Sequence, residues 1–324
     1  MSLRWNRPIL ISLPDSHLPT DYLVARVKGR SVHLVRDWQA YLSGPALAPD
    51  WLRQRFPGEV LGSEEPPWSM FYRELAWLYW RMNPDLRRRF DPLFSYWVLQ
   101  LVVSGIRRLI QGQTTELYLH TAHLVDAPLY RILRHAGNAA ALLAQLQRLR
   151  FVESDDGTKL PVLLKAKGYT AVETELLDAL LLFTAPAARG YPGRLLAALI
   201  DIRNLRALHK WRHWEAQQQP QWLPHGEIRA KDLRRVLQDG QPEKLARLLA
   251  GAGWTLPDPA AEVDVEQQLL VQLTGKVRRW ARENSNEAVL VRYLWERYVE
   301  SVNLAVIQRL FPAYSQRVAT EMIA

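Results

Sequence analysis

GRLLAALIDIRNLRALH, residues 193–209, and VRYLWERYVESVNLAVI, residues 291–307, are the stretches that decide the fold. Both place apolar residues at i, i+3, i+4 and i+7, the stripe that an amphipathic helix buries. Both carry an acid three residues before an asparagine: Asp201 before Asn204, and Glu300 before Asn303. A third run, FSYWVLQLVVSGIRRLI at 94–110, aligns with them without gaps when Gly105 is set against the two asparagines, and both intervals are then 99 residues. Apolar residues match at Leu101/Ile200/Val299, Ile106/Leu205/Leu304 and Leu109/Leu208/Ile307. The first run has Val102 and Gly105 where the acid and the asparagine stand in the others.

A second pattern repeats between these runs. Trp38-x-x-Tyr41-Leu42, Leu129-x-x-Ile132-Leu133 and Leu233-x-x-Val236-Leu237 each open a short helix. Short amphipathic stretches follow at Trp51–Phe56, Ala141–Leu149 and Glu243–Leu249. Equal spacing of similar segments is the mark of an internal repeat. The expected architecture is all-α, with three related helical-bundle units at 1–117, 118–222 and 223–324. Helices are expected at Trp68–Arg89, Leu93–Gln111, Ala171–Phe183, Gly193–Gln217, Ala230–Leu237, Glu243–Ala250, Val263–Glu283 and Glu287–Leu310. Asp264 and Asn286 are start signals for the last two. Strand-like alternation is confined to Pro8–Leu13 and to Phe151–Leu160, where Asp155-Asp156-Gly157 predicts a hairpin turn.

Composition narrows the function. The chain has 324 residues and no cysteine, which excludes disulfides and Cys-ligated zinc. The start reads poorly as a signal peptide, because Pro interrupts its apolar stretch. The most apolar run, Pro92–Ile106, contains Ser95, Gln100 and Ser104 and meets Arg107–Arg108, so it is expected to be too short and too polar to cross a bilayer. The net charge of +9 comes from 34 Arg and 8 Lys against 33 acids. Such an excess fits nucleic acid, anionic lipid or an acidic protein. The densest basic runs are Arg87–Arg89 and Arg203–Arg212, and elsewhere the basic residues are interleaved with acids, the pattern of solvated helix faces.

Catalytic motifs fail on inspection. Gly275-Lys276 lacks a P-loop's first glycine, since Leu270 takes that place. Gly190-Tyr191-Pro192-Gly193 reads as a turn. His120/His123 and His209/His213 have metal-compatible spacing but no evident third ligand, and read as polar helix faces. Glu173, Glu175 and Asp178 read as a solvated acidic edge. Trp77, Trp80 and Trp97 are expected in the core. Trp211, Trp214 and Trp222 lie near basic residues, where packing competes with base stacking. No catalytic residue, cofactor or metal site is expected.

The segments that carry the repeat resemble a known family. LLAALIDIRNLRALHKW (Leu195–Trp211), LPHGEIRAKDLRRVLQDGQPEKLARLLAG (Leu223–Gly251), VLVRYLWERYVESVNLAVI (Val289–Ile307) and DYLVARVKGRSVHLV (Asp21–Val35) are similar to segments of the rotor-coupling subunit of prokaryotic V/A-type (vacuolar/archaeal-type) ATPases, the C-type family whose eukaryotic homologue is the d-type protein of the V-ATPase. The resemblance is strongest from about 170 to 310. There are departures: His225 and Ala305 stand where the family prefers Gly and Arg, and the first copy lacks the acid and the asparagine.

The resemblance implies a funnel of three helical domains around a pseudo-threefold axis. It implies a non-catalytic protein that couples the central stalk to the membrane proteolipid ring during proton or sodium transport. Such a protein is cytoplasmic and peripheral to the cell membrane through its complex. The alternative is a basic helical nucleic-acid-binding protein. The family-motif residues are Asp201, Asn204, Leu205, Arg206, Glu300 and Asn303. Acid and asparagine three apart share one helix face. A buried Asn must find partners for its amide, so it can tie its helix to a neighbouring loop. Arg206 is expected to point aside, toward a carboxylate. Architecture is the leading role for these residues, with partner contact the other.

Overall fold

A computed structural model describes residues 3–14, 17–35, 38, 68–113, 124–184, 187–213, 220, 222–257, 264–283, 285–310 and 323. Helix dominates. In chain order the elements are β1 (Leu3–Trp5), α1 (Thr20–Ser31), α2 (Trp68–Arg81), α3 (Pro84–Ile110), α4 (Ala127–His135), α5 (Ala139–Arg148) and β2 (Val152–Ser154). There follow α6 (Leu160–Thr184), α7 (Gly190–His213), α8 (Ala230–Asp239), α9 (Pro242–Gly251), α10 (Val265–Trp280), a 3-10 turn (Ala281–Glu283) and α11 (Asn286–Leu310). The chain is therefore all-α in character, with one antiparallel pair of three-residue strands, β1 and β2, among the described residues.

The three runs that share the 99-residue interval lie on α3, α7 and α11. Helix α7 packs against both of the others. Side chains of α3 reach α11 through aromatic rings: Trp97 stacks on Tyr298 at 6.4 Å, and Phe71 of α2 meets both edge-on. Offset and edge-to-face pairs of this kind add to area burial. Helix α6 covers α3, α5 and β1, α10 lies against α7 and α11, and α1 and α2 pack on α11. The short pairs α4–α5 and α8–α9 occupy the second and third copies of the Leu-x-x-Ile/Val-Leu pattern, with Leu129, Ile132, Leu133, Leu233 and Val236 buried. Their first-copy counterparts, Tyr41-Leu42 and Trp51–Phe56, lie outside the described residues, and so do His120, His123 and Trp214.

Local chemistry sets the boundaries and corrects several expectations. The expected helix Trp68–Arg89 is two helices, because Asn83 precedes Pro84. A residue before proline leaves the α region, and the Asn83 side chain caps α3 by accepting from Leu86 N at 2.8 Å. Asn138 and Asp264 cap α5 and α10 in the same way. Helix α6 starts before Ala171 and kinks at Gly168, whose φ of 80° and ψ of 179° is backbone that only glycine adopts readily.

The expected hairpin at Phe151–Leu160 does not form. Val152–Ser154 pairs with Leu3–Trp5 instead, and the Asp155–Gly157 turn redirects the chain into α6. There Asp156 accepts from Thr158 N and Gln147 accepts from Leu160 N. Trp97 is core, Trp77 is half-buried under the Arg30 guanidinium, and Trp80 is exposed, contrary to expectation. Helix α3 extends past the apolar run and, by length and composition alone, is long and apolar enough to cross a membrane. Two thirds of its most apolar window is buried inside the fold, so those residues are used as core.

Candidate functional site

The acid–Asn pairs of α7 and α11 form two matching brackets. On α7, Asn204 is buried and grips one residue twice: its Nδ2 donates to Leu223 O at 2.9 Å, and its Oδ1 accepts from Leu223 N at 2.8 Å. One turn earlier, Asp201 is fully buried and accepts from Ile228 N and from Trp254 Nε1, both at 3.1 Å. Acid and amide thus hold the two ends of the 223–228 turn that leads into α8. On α11, Asn303 grips Ile323 in the same bidentate way, with both bonds at 2.9 Å. Glu300 accepts from Val35 N at 3.2 Å and from Arg297 at 2.6 Å. The gripped residues follow their asparagines by 19 and 20 positions. A side-chain amide that pairs with both backbone groups of one residue satisfies buried N–H and C=O where no helix or strand can.

The corresponding run on α3 solves the same problem differently. Nineteen residues beyond Gly105 stands Leu124, fully buried. Its carbonyl accepts from Ile11 N at 3.0 Å, and Asp126 N donates to Ile9 O at 2.9 Å. The extended segment at 9–11, joined to Val125 by an isolated bridge at Leu10, supplies from backbone what Asn204 and Asp201 supply from side chains. Gly105 and Val102 are free to pack because the amino-terminal segment does their bonding.

Around Asp201 the site is polar and closed. Gly226 leaves no room for a Cβ, which would overlap Asp201 Oδ1. His225 before it adopts φ 69°, left-handed backbone that glycine adopts more readily. Lys276 is buried, bonded to Ala252 O and to Glu227, with its ammonium 3.9 Å from the Trp254 ring centre. Burial pushes the Asp201 carboxyl up to about 7, against the pull of the Ile228 and Trp254 donors and of Lys276, with Glu227 adding to the rise. Lys276 is therefore a core cation tied to this network, not part of a phosphate loop.

Other motif residues join helices to one another. Leu205 is core. Arg206 points from α7 to Glu266 of α10 at 2.7 Å. Glu173 is buried, not a solvated edge: it accepts from Arg203 of α7 at 2.6 Å and pairs with Arg107 of α3. Glu175 and Asp178 are half-buried as well. Of the three, Glu173 faces α3 and α7 through its arginine partners. The Gly190–Gly193 stretch is the first turn of α7 rather than a loop. Its Tyr191 N donates to Glu287 of α11, which also pairs with Arg89 of α3.

Trp222 is buried and Trp211 is half-buried and packed against the core. His209 and His213 stack in parallel at 6.2 Å. Among the described residues, no three His, Asp or Glu side chains gather in a way that could hold a metal ion. Sequence reading missed the Lys276–Glu227–Trp254 cluster, although the Pro224-His225-Gly226 turn marked its edge. It also missed Asp91, which burial pushes up to about 6 against a Tyr79 bond and Arg87.

Neither protein-family models nor curated protein sequences give a match to this chain.

Proposed function

We propose that the chain is the non-catalytic rotor-coupling protein of a V/A-type rotary ATPase, joining the central stalk to the membrane proteolipid ring. In this reading it works in the cytoplasm, peripheral to the membrane, and its three units surround a pseudo-threefold axis in a funnel. The observation that carries the reading is the acid–Asn bracket. The same motif, 99 residues apart, performs the same bidentate grip in both copies, so the segments that resemble the family also act as one repeated device. Further support comes from Arg89 and Glu287. They are 198 residues apart, two repeat intervals, and they pair directly. Matching positions that touch are what a nearby pseudo-symmetry axis produces.

The physics suits the role. A part that transmits torque has to resist shear, and these helices are cross-tied by charge-assisted bonds such as Arg203–Glu173 and Arg206–Glu266, with Arg297–Glu300 bracing the bracket on α11. Those pairs commit Arg203 and Arg206, from the densest basic run, to ties between helices, which weakens the nucleic-acid alternative.

The test is purification of the tagged protein from its own host at moderate salt. The coupling reading expects a proteolipid ring and a coiled-coil central-stalk protein in fixed proportion. Recovery of nucleic acid or of nothing, with a rotary ATPase assembling normally in the absence of this chain, overturns it.

A further inference from the structure

Helix α6 kinks at Gly168, and the part before the kink, residues 160–167, is a short arm. Its start is anchored to α5, where Gln147 accepts from Leu160 N. Leu160 and Leu163 are buried and set its inner side. Helical spacing turns Val162 and Lys165 the other way, and both are exposed, Val162 at 56%. Lys159, one turn before Val162, is exposed too, and so is Lys167 at the kink.

Two features set this arm apart. Arginine outnumbers lysine 34 to 8 in the chain, yet three of the eight lysines fall at 159–167. No acid stands from Gly157 to Val172. The nearest acids on either side are already engaged. Asp155 pairs with Arg4, Asp156 accepts from Ser154 and Thr158, and Glu173 is held by Arg203 and Arg107. The Arg107 guanidinium, itself well exposed, lies over the Tyr169 ring at 5.1 Å and carries the positive charge past the kink.

We infer that the 159–167 arm of α6 is a membrane-contact surface, where Lys159, Lys165 and Lys167 meet the headgroups of anionic lipids and Val162 enters between them.

The choice of residues favours lipid over other anions. Carboxylates within this fold are met chiefly by arginine, whose planar fork matches them, as in Arg203–Glu173, Arg206–Glu266 and Arg297–Glu300. Lysine is a compact charge on a flexible apolar stem. It can lie along the acyl boundary and still reach a phosphate. An exposed aliphatic residue among lysines gains from a surface that is anionic outside and apolar just beneath. The arm holds no aromatic ring on which a base could stack.

Flotation of the purified full chain with vesicles tests this, comparing phosphatidylcholine alone with phosphatidylcholine holding about one quarter phosphatidylglycerol. The chain binds the anionic vesicles and not the neutral ones, and binding falls as salt is raised. Lys159→Gln, Lys165→Gln and Lys167→Gln together lower that affinity at least about tenfold. Because the whole chain carries +9, a control removes the same charge elsewhere: Arg229→Gln, Lys231→Gln and Arg234→Gln, all exposed at the start of α8, change it less than about twofold. The chain has no cysteine, so Val162→Cys carries a single environment-sensitive dye, whose emission shifts to the blue on anionic vesicles. No binding by the parent, an equal loss in both triple variants, or a dye that does not shift overturns the inference. So does an arm variant that keeps its vesicle binding and loses binding to polyglutamate, which would make the partner an acidic protein. None of these outcomes touches the coupling role, which rests on the brackets and is read by co-purification.

Discussion

Gly105 and Asn204 occupy matching places on α3 and α7, yet the chain beyond each is held by opposite means. Leu124 is tied by the main chain of residues 9–11, while Leu223 is tied by one amide side chain. Both places carry the same requirement, a buried residue whose backbone must be satisfied, and differ in the supplier. A side chain that carries a whole junction can be removed by one substitution, whereas a main-chain pairing cannot. The two junctions should therefore fail differently, and the largest effect belongs to the side-chain one.

Asn204→Ala leaves Leu223 N–H and C=O buried without partners. Each orphaned group costs about 1–3 kcal/mol, so a loss of roughly 2–5 kcal/mol in urea unfolding is expected. A loss under about 1 kcal/mol would mean that water or a neighbouring group replaces the amide, and the bracket would cease to distinguish the copies.

At the first junction the comparable test is Ile11→Pro, which deletes the N–H that Leu124 O accepts. One group is orphaned rather than two, and the expected loss is about 1–3 kcal/mol. If Ile11→Pro destabilises more than Asn204→Ala, the amino-terminal segment is the stronger tie and the ranking of the junctions reverses.

Asp201 separates the brackets by pH. Burial raises its folded pKa to about 7, whereas an unfolded aspartate titrates near its ordinary value of 3.8. Between those values the folded chain binds the proton more tightly, so stability falls as pH rises from about 4 to about 7. Asp201→Asn removes this contribution. The urea midpoint measured at about pH 5 and about pH 7.5 should fall less with pH in the variant than in the parent. An equal or steeper fall would locate the titrating group elsewhere, with Asp91 the next candidate at about 6.

These contrasts also mark what the sequence could reveal. The long helices, the 99-residue spacing and the importance of Asn204 and Asn303 were legible because apolar periodicity and a repeated polar pair are local patterns. Helix α3 beginning at Pro84 was legible in principle from Asn83-Pro84. The partners were not legible: nothing in the string joins Ile11 to Leu124, Val35 to Glu300 or Ile323 to Asn303. Backbone groups carry no side-chain signature, and pairing at that range is decided by packing. The same holds for Glu173, whose acidic neighbours imitate a solvated face while its partner Arg203 lies 30 residues away.

The smallest expected effect is a gain, and it sharpens the comparison at the α7 bracket. His225 sits at φ 69° immediately before Gly226, whose missing Cβ lets Asp201 approach the turn. A side chain in left-handed backbone costs about 1–2 kcal/mol, and glycine gives back part of that relief because it orders a more flexible residue. His225→Gly should therefore stabilise the chain by less than about 1 kcal/mol. The same exchange relieves nothing at Gly226, where Gly226→Ala should instead destabilise by about 1–3 kcal/mol through overlap with Asp201. Two adjacent positions in one turn then respond with opposite signs. If His225→Gly destabilises instead, the imidazole is held by something beyond backbone geometry. The half-buried Asp178 carboxylate, which feels its charge, is the group to mutate next.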